Sequence, residues 1–316
     1  MELIENLKSL SSPYKNAVVT IGNFDGVHIG HQALFKEVNQ KAGEIDGISV
    51  AVTFEPHPSR VLNPNGQPPR ITRYEQKVEL IEKTGIDVLI CIPFTLDFAE
   101  TSAHDFVEDL LVGRIGMKAI VVGKDYTYGK SREGNIESLR VDGNRLGFEV
   151  MVAEWIRVPT SPAGRASSTL IRKLVMDGNV ANAEKLLGRH YQIRGMVVEG
   201  RNRGKRLLNC PTANIDLQDE LRPKNGIYAV TVEFRGRCCK GVANIGYSPT
   251  FDDPQLTFEV HVLDHDEDLY GEKIRVNFIE RIRDEMKFDN VADLSEKIRE
   301  DIQTARGILS TRGCGG

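Results

Sequence analysis

The shortages in this chain narrow it quickly. Its 316 residues hold one tryptophan and five cysteines. The cysteines (Cys91, Cys210, Cys238, Cys239 and Cys314) are odd in number and never spaced C-x-x-C. Neither a disulfide framework nor a zinc site is therefore expected, and a reducing, cytoplasmic setting is. No apolar run approaches the length that crosses a bilayer, and M-E-L-I-E-N-L-K-S-L lacks a signal peptide's basic start and apolar core. No membrane partner is expected. A formal net charge of −4 leaves no cationic excess for a dedicated nucleic-acid binder. What is present is ordinary for a globular protein, 40% hydrophobic and 27% charged, with enough chain for two domains.

The informative stretch is A-V-V-T-I-G-N-F-D-G-V-H-I-G-H-Q-A-L-F, from Ala17 to Phe35. It opens as a β-branched run suited to a buried parallel strand. It breaks at Gly22, turns again at Gly26, and restarts with Leu34, Phe35, Val38, Ala42 and Ile45 at helical steps. His28 and His31 fall three apart where that helix starts. Free N–H groups and a partial positive charge at a helix N-terminus favour phosphate. Two imidazoles beside it suit a nucleoside triphosphate. The motif lacks the G-K-[ST] of a P-loop and is not G-x-G-x-x-G.

Apolar runs at Ile48–Phe54, Asp87–Phe94, Lys118–Gly123 and Phe148–Val152 alternate with helical patterns at Thr72–Thr84, Ala103–Val112 (capped by Thr101 or Ser102) and Gly134–Leu146. That alternation predicts an α/β domain with a parallel sheet, helices on both faces and ligands beyond the strands' carboxyl ends. His57, between two prolines after a strand, is either a rigid-turn residue or a ligand. Asp125, in G-K-D-Y-T-Y-G, accompanies two tyrosines suited to a flat heterocycle. Arg165, Ser168, Thr169 and Arg172, in R-A-S-S-T-L-I-R, predict a helix capped by Ser168 or Thr169 and a second anion site.

From Tyr191 to Phe278 short apolar runs divided by turns predict a small antiparallel β-barrel, and a final helix follows from Val291 to Leu309. Gly204 and Lys205 lie in R-N-R-G-K-R, a phosphate-binding or solvated loop. Thr212 and Asn214 of P-T-A-N, two apart on an extended chain, could share a magnesium ion. Glu259, inside L-T-F-E-V-H-V-L, points either to solvent or to a reaction centre.

G-N-F-D-G-V-H-I-G-H resembles the nucleotidylyltransferase signature, whose histidines hold ATP phosphates. The same H-x-G-H occurs in class I aminoacyl-tRNA synthetases, but no K-M-S-K-S-type loop accompanies it here. T-F-E-P-H-P, V-G-K-D-Y-T-Y-G, S-S-T-L-I-R, P-T-A-N, G-V-A-N-I-G-Y-S-P-T-F and F-E-V-H-V-L-D follow in order. Together they resemble the bacterial bifunctional riboflavin kinase/FAD synthetases. The resemblance implies a Rossmann-like FMN adenylyltransferase domain over residues 1–186 and a riboflavin kinase β-barrel with C-terminal helix over 187–310; the terminal T-R-G-C-G-G, residues 311–316, is expected to be a disordered tail. It implies riboflavin, FMN and ATP as substrates, FAD as product, and Mg2+. Gly22, Asn23, Phe24, Asp25, Gly26 and Gly30 would join His28 and His31 at the nucleotide, Thr212 and Asn214 would bind magnesium, and Glu259 would be the kinase base. The chain departs from the family at Asn209 and Cys210, where a glycine and an aromatic usually precede P-T-A-N, and at His190, where proline is usual.

Overall fold

All the strands expected in the first half form, and they join one parallel sheet. They are β2 (Ala17–Ile21), β3 (Ser49–Glu55), β4 (Val88–Pro93), β5 (Met117–Gly123) and β6 (Glu149–Ala153). A sixth, β1 (Glu2–Ile4), escapes the pattern because three residues are too few to show one. The order is β1-β4-β3-β2-β5-β6, with every neighbour parallel. The computed structural model describes residues 1–158, 164–198, 212–216, 220–248, 255–265 and 267–312.

Both faces of this sheet are covered, which is why the strands read as unbroken apolar runs. Val19, Ile21, Val50 and Val52 pack with Phe106, Leu111 and Leu139 on one side. Val18, Ala51 and Leu89 pack with Phe35, Val38 and Ile81 on the other. Phe35, Val38 and Ala42 are the buried stripe of α1 (Ile29–Glu44), as their spacing predicts. Short α2 (Pro58–Leu62), α3 (Tyr74–Glu82), α4 (Leu96–Ala99) and α5 (Ala103–Asp105) follow. Of the two expected caps, Ser102 fills the role for α5, accepting the Asp105 N–H at 3.1 Å. Instead of continuing as an α-helix to Val112, the chain runs from α5 into a π-helix, Phe106–Ile115. Its buried residues recur at steps of four and five, a wider period than an α-helix presents. Then comes α6 (Ile136–Leu146), begun by reciprocal bonds between Asn135 and Ser138.

The chain divides into two compact units, Met1–Ser168 and Thr169–Gly316. The second holds nearly all of α7 (Ser168–Met176), then α8 (Val180–Leu187). Its strands are β7 (Tyr191–Val198), β8 (Ala213–Ile215), β9 (Gly226–Phe234), β10 (Arg237–Ser248), β11 (Gln255–Val262) and β12 (Lys273–Arg283). They close into an antiparallel barrel in the order β10-β11-β8-β7-β12-β9. Tyr191, Tyr228 and Phe258 meet Phe278 in its core at 5.3–6.0 Å between rings. The final helix, α9 (Val291–Arg312), packs Ala305 and Leu309 against Ala229 and Ile279. Val291, on the expected apolar stripe, is instead exposed. Asp301 is buried in its company by a three-bond pair with Arg283. Cys91 and Cys239 are free, whereas Cys238 is disulfide-bonded, which the odd, irregularly spaced cysteines did not announce.

Candidate active sites

Beyond the carboxyl end of the parallel sheet lies a cavity of about 920 Å3. That is near the top of the range for small-molecule sites. The loop after β2 forms one wall, with Gly22, Asn23, Phe24, His28, Gly30 and His31 lining it. His28 is the N-cap of α1, its Nδ1 accepting the His31 N–H at 3.4 Å. The two rings stack with centroids 3.6 Å apart, so both imidazoles stand together at the helix's positive end. Phe24 sets its edge against His31 and Phe35. Space favours glycine here: a Cβ on Gly22 would come within 2.8 Å of the Phe24 ring, and one on Gly30 within 3.1 Å of His28. Phe24 and Val27 hold φ of 49° and 39°, a region unfavourable to side chains and kept only where surroundings enforce it.

What enforces it is Asp25. Its carboxylate is 6% exposed and accepts the Ile71 N–H at 3.1 Å, the Thr72 N–H at 3.0 Å and the Thr72 hydroxyl at 3.2 Å. Thr72 Oγ1 in turn accepts the Gly26 N–H. Asp25 and Gly26 therefore buckle the loop from behind and do not line the cavity. Behind the neighbouring strand end, buried Lys77 donates to Thr53 Oγ1 and Phe54 O, while Thr53 donates to Asn23 O. Burial pushes the Lys77 pKa below the ordinary lysine value, against the raising influence of Glu55. Sequence reading missed this brace, since a lysine inside a helical pattern gives no sign of burial.

Asp125, Arg165 and Ser168 also line the cavity. Arg165 donates to Asp125 at 2.9 Å and lies 4.2 Å over the Trp155 ring. Ser168 is the first residue of α7, so its hydroxyl is not the expected cap; it donates to Asp25 O at 2.9 Å, tying the late segment to the histidine loop. Thr169 and Arg172 follow on α7, in the second unit. His57 caps α2 instead of lining the cavity, its Nδ1 taken by the Ser59 N–H and hydroxyl at 3.1 and 2.7 Å. The phenylalanine wall went unread: Phe54, Phe94, Phe98 and Phe106 touch edge to face in series, with the expected Tyr126 and Tyr128 beyond. Its only sequence signal is two phenylalanines, Phe94 and Phe98, in the short link after a strand.

The barrel carries a second polar constellation. Glu259 on β11 is paired in register with Asn214 on β8 and with Asn244 on β10. Their neighbours Phe258, Val260, Ala213, Ala243 and Ile245 are buried, so the three polar residues share the barrel's outer face. Among the described residues none of the three side chains makes a hydrogen bond or ion pair. Burial alone raises the Glu259 pKa above the usual carboxylate range. Thr212 lies just before β8, two residues from Asn214. Gly204, Lys205, Asn209 and Cys210 lie outside the described residues. His190 sits 3.2 Å from the Glu184 carboxylate.

A model of the FAD synthetase family matches residues 11–169, and one of the riboflavin kinase family matches 187–309. The chain belongs to the bifunctional riboflavin kinase/FMN adenylyltransferases. Proteins of that name from Haemophilus influenzae and Escherichia coli K12 are 36% and 37% identical to it. The first aligns with 98% of this chain and 100% of its own, the second with 97% of each. A Listeria monocytogenes relative of the same name is 39% identical over 93% of each. A solved structure described as a macrolide-efflux protein, from Streptococcus pneumoniae, superposes with a TM-score of 0.86 at 34% identity, covering 96% of this chain and 98% of that one. That description stays with that protein; among the described residues here no helix is long and apolar enough to cross a membrane. The family's order, adenylyltransferase then kinase, matches the order of parallel sheet and barrel.

Proposed function

We infer that the chain makes FAD in two ATP-dependent steps, riboflavin to FMN in residues 187–310 and FMN to FAD in residues 1–186, in the cytoplasm. The observation carrying this is the contrast between its two polar sites. Among the described residues, one is cationic and aromatic with no free carboxylate at its centre, and the other presents an unpaired carboxylate on a barrel wall.

In adenylyl transfer a phosphate oxygen of FMN attacks the α-phosphorus of ATP, and the bond to the departing pyrophosphate breaks. The nucleophile is already an anion, so alignment and charge stabilisation suffice. His28 and His31 supply donors at the α1 terminus, with the loop N–H groups from Gly22 to Gly30 beside them. Arg165, anchored by Asp125, supplies a fixed charge across the cavity. The phenylalanine and tyrosine wall suits the isoalloxazine plane. Asp25, Gly26 and Ser168 hold the loop, and His57 shapes the turn behind it.

In the kinase step riboflavin's terminal ribityl hydroxyl attacks the γ-phosphorus of ATP, losing its proton as ADP leaves. An alcohol gains roughly 10²–10⁴-fold from a positioned base. Glu259, with no competing partner among the described residues, is that base. Thr212 and Asn214 present neutral oxygens beside it, a donor set that fits Mg2+ brought by nucleotide phosphates. The ion would neutralise phosphate charge there. Gly204 and Lys205 would contact the same phosphates. Mixing the protein with riboflavin, ATP and magnesium and separating the flavins tests the reading: FMN appearing first and FAD after it supports two steps, and no conversion of riboflavin overturns the kinase half.

A further inference from the structure

The kinase reading uses two of the three residues in the barrel's polar row and leaves Asn244 without a task. Asn244 lies in G-V-A-N-I-G on β10, directly opposite Glu259, as Asn214 lies opposite it on the other side. Its carboxamide oxygen is buried and has no hydrogen-bond donor. Buried amide oxygens are almost always paired, and an orphan calls for an explanation. Glu259, its immediate neighbour, is an acceptor when ionised and cannot satisfy it. What the site lacks is a donor from outside.

The order along the row says which donor. Neighbouring strands lie about 4.8 Å apart, so Asn214, Glu259 and Asn244 span about 10 Å in a line. With nucleotide phosphates at the Asn214 end, the attacking hydroxyl sits at Glu259. In-line displacement directs the alcohol's own carbon chain away from the phosphorus, towards the Asn244 end. The next group along that chain is a secondary hydroxyl, a neutral donor within one residue spacing. We propose that the Asn244 side-chain oxygen accepts a hydrogen bond from the ribityl hydroxyl next to the reacting one. It would thereby select a polyol and fix the angle at which its end meets the base. This rests on the kinase reading of Glu259 and gives the row its third role.

The test compares riboflavin with an analogue lacking that secondary hydroxyl, using the full-length protein and its Asn244→Ala and Asn244→Ser variants. Wild-type kcat/KM should be at least tenfold lower for the analogue. Asn244→Ala should lose at least tenfold on riboflavin and no more than about twofold on the analogue, because the bond it removes is already missing there. KM for ATP, the acid limb of the kinase pH profile, and FAD formation from supplied FMN should all stay at wild-type values. Equal losses on the two flavins, or none on riboflavin, would overturn the assignment. A displaced acid limb would too, since it would mean that Asn244 works through Glu259. If Asn244→Ala unfolds the barrel, Asn244→Ser, whose shorter hydroxyl falls short of the polyol, should show the same pattern. Full kinase turnover in Glu259→Gln would sink the base assignment separately, leaving the two-flavin comparison to be judged on its own.

Discussion

Replacing Asp25 by alanine separates a loop brace from a ligand contact. The side chain accepts from Ile71 N, Thr72 N and Thr72 Oγ1 in a setting where Asp25, Ile71 and Thr72 are 6%, 2% and 4% exposed. Asp25→Ala strands two buried N–H groups at about 1–3 kcal/mol each. With partial relief by water entering the space, the loss should be about 3 kcal/mol. For a unit the size of Met1–Ser168, each kcal/mol moves the midpoint by roughly 2–4 °C, so Tm of that unit should fall by about 9 °C. Asp25→Asn keeps one oxygen but loses charge assistance, and should cost about half as much. Thermal denaturation measures the shift, and FAD formation from FMN, assayed below the new midpoint, should drop as the Phe24–Val27 turn relaxes. Kinase turnover should be unchanged. If FAD synthesis vanished while Tm stayed at the wild-type value, Asp25 would contact substrate and the brace argument would be wrong.

Other consequences follow from the same geometry. Because burial raises the Glu259 pKa, kinase kcat/KM should fall as pH drops through a limb lying above the ordinary carboxylate range, readable in a pH–rate profile. The same shift means the folded state holds that proton more tightly than the unfolded one. Its contribution to stability is therefore present at low pH and lost as pH rises through the folded pKa. Asp301→Ala leaves the half-buried Arg283 guanidinium without its carboxylate and should cost about 1–3 kcal/mol by chemical denaturation, whereas Arg283→Met with Asp301→Leu should recover most of it. Gly22→Ala drives a methyl into the Phe24 ring and should cost about 1–3 kcal/mol together with much of the FAD synthesis, measured by melting and by product formation.

The sheet was legible because buried parallel strands leave unbroken β-branched runs, and the barrel because its strands alternate between glycine-rich turns. β1 was too short to leave a period, and the π-helix uses one that a search for α spacing reads only in part. At the site, His28 and His31 were legible since a motif places them at a helix start. Asp25 sits in that same motif, yet what its carboxylate bonds is fixed by backbone from residues 71 and 72, a partnership with no local trace. Lys77 and Asp301 were illegible for a related reason: a charge in an amphipathic helix reads as solvated until the partner that buries it is seen. Asn244 became visible only once strand register set it beside Glu259.

The central claim, two chemically distinct sites in one chain, is tested most directly by a crossed pair of variants. Glu259→Gln and the double variant His28→Ala/His31→Ala would each be assayed for FMN from riboflavin and for FAD from supplied FMN. The account predicts that Glu259→Gln loses at least 10²-fold in the first and nothing in the second, and that the histidine variant does the reverse. A variant that depresses both reactions equally, while remaining folded, would contradict it.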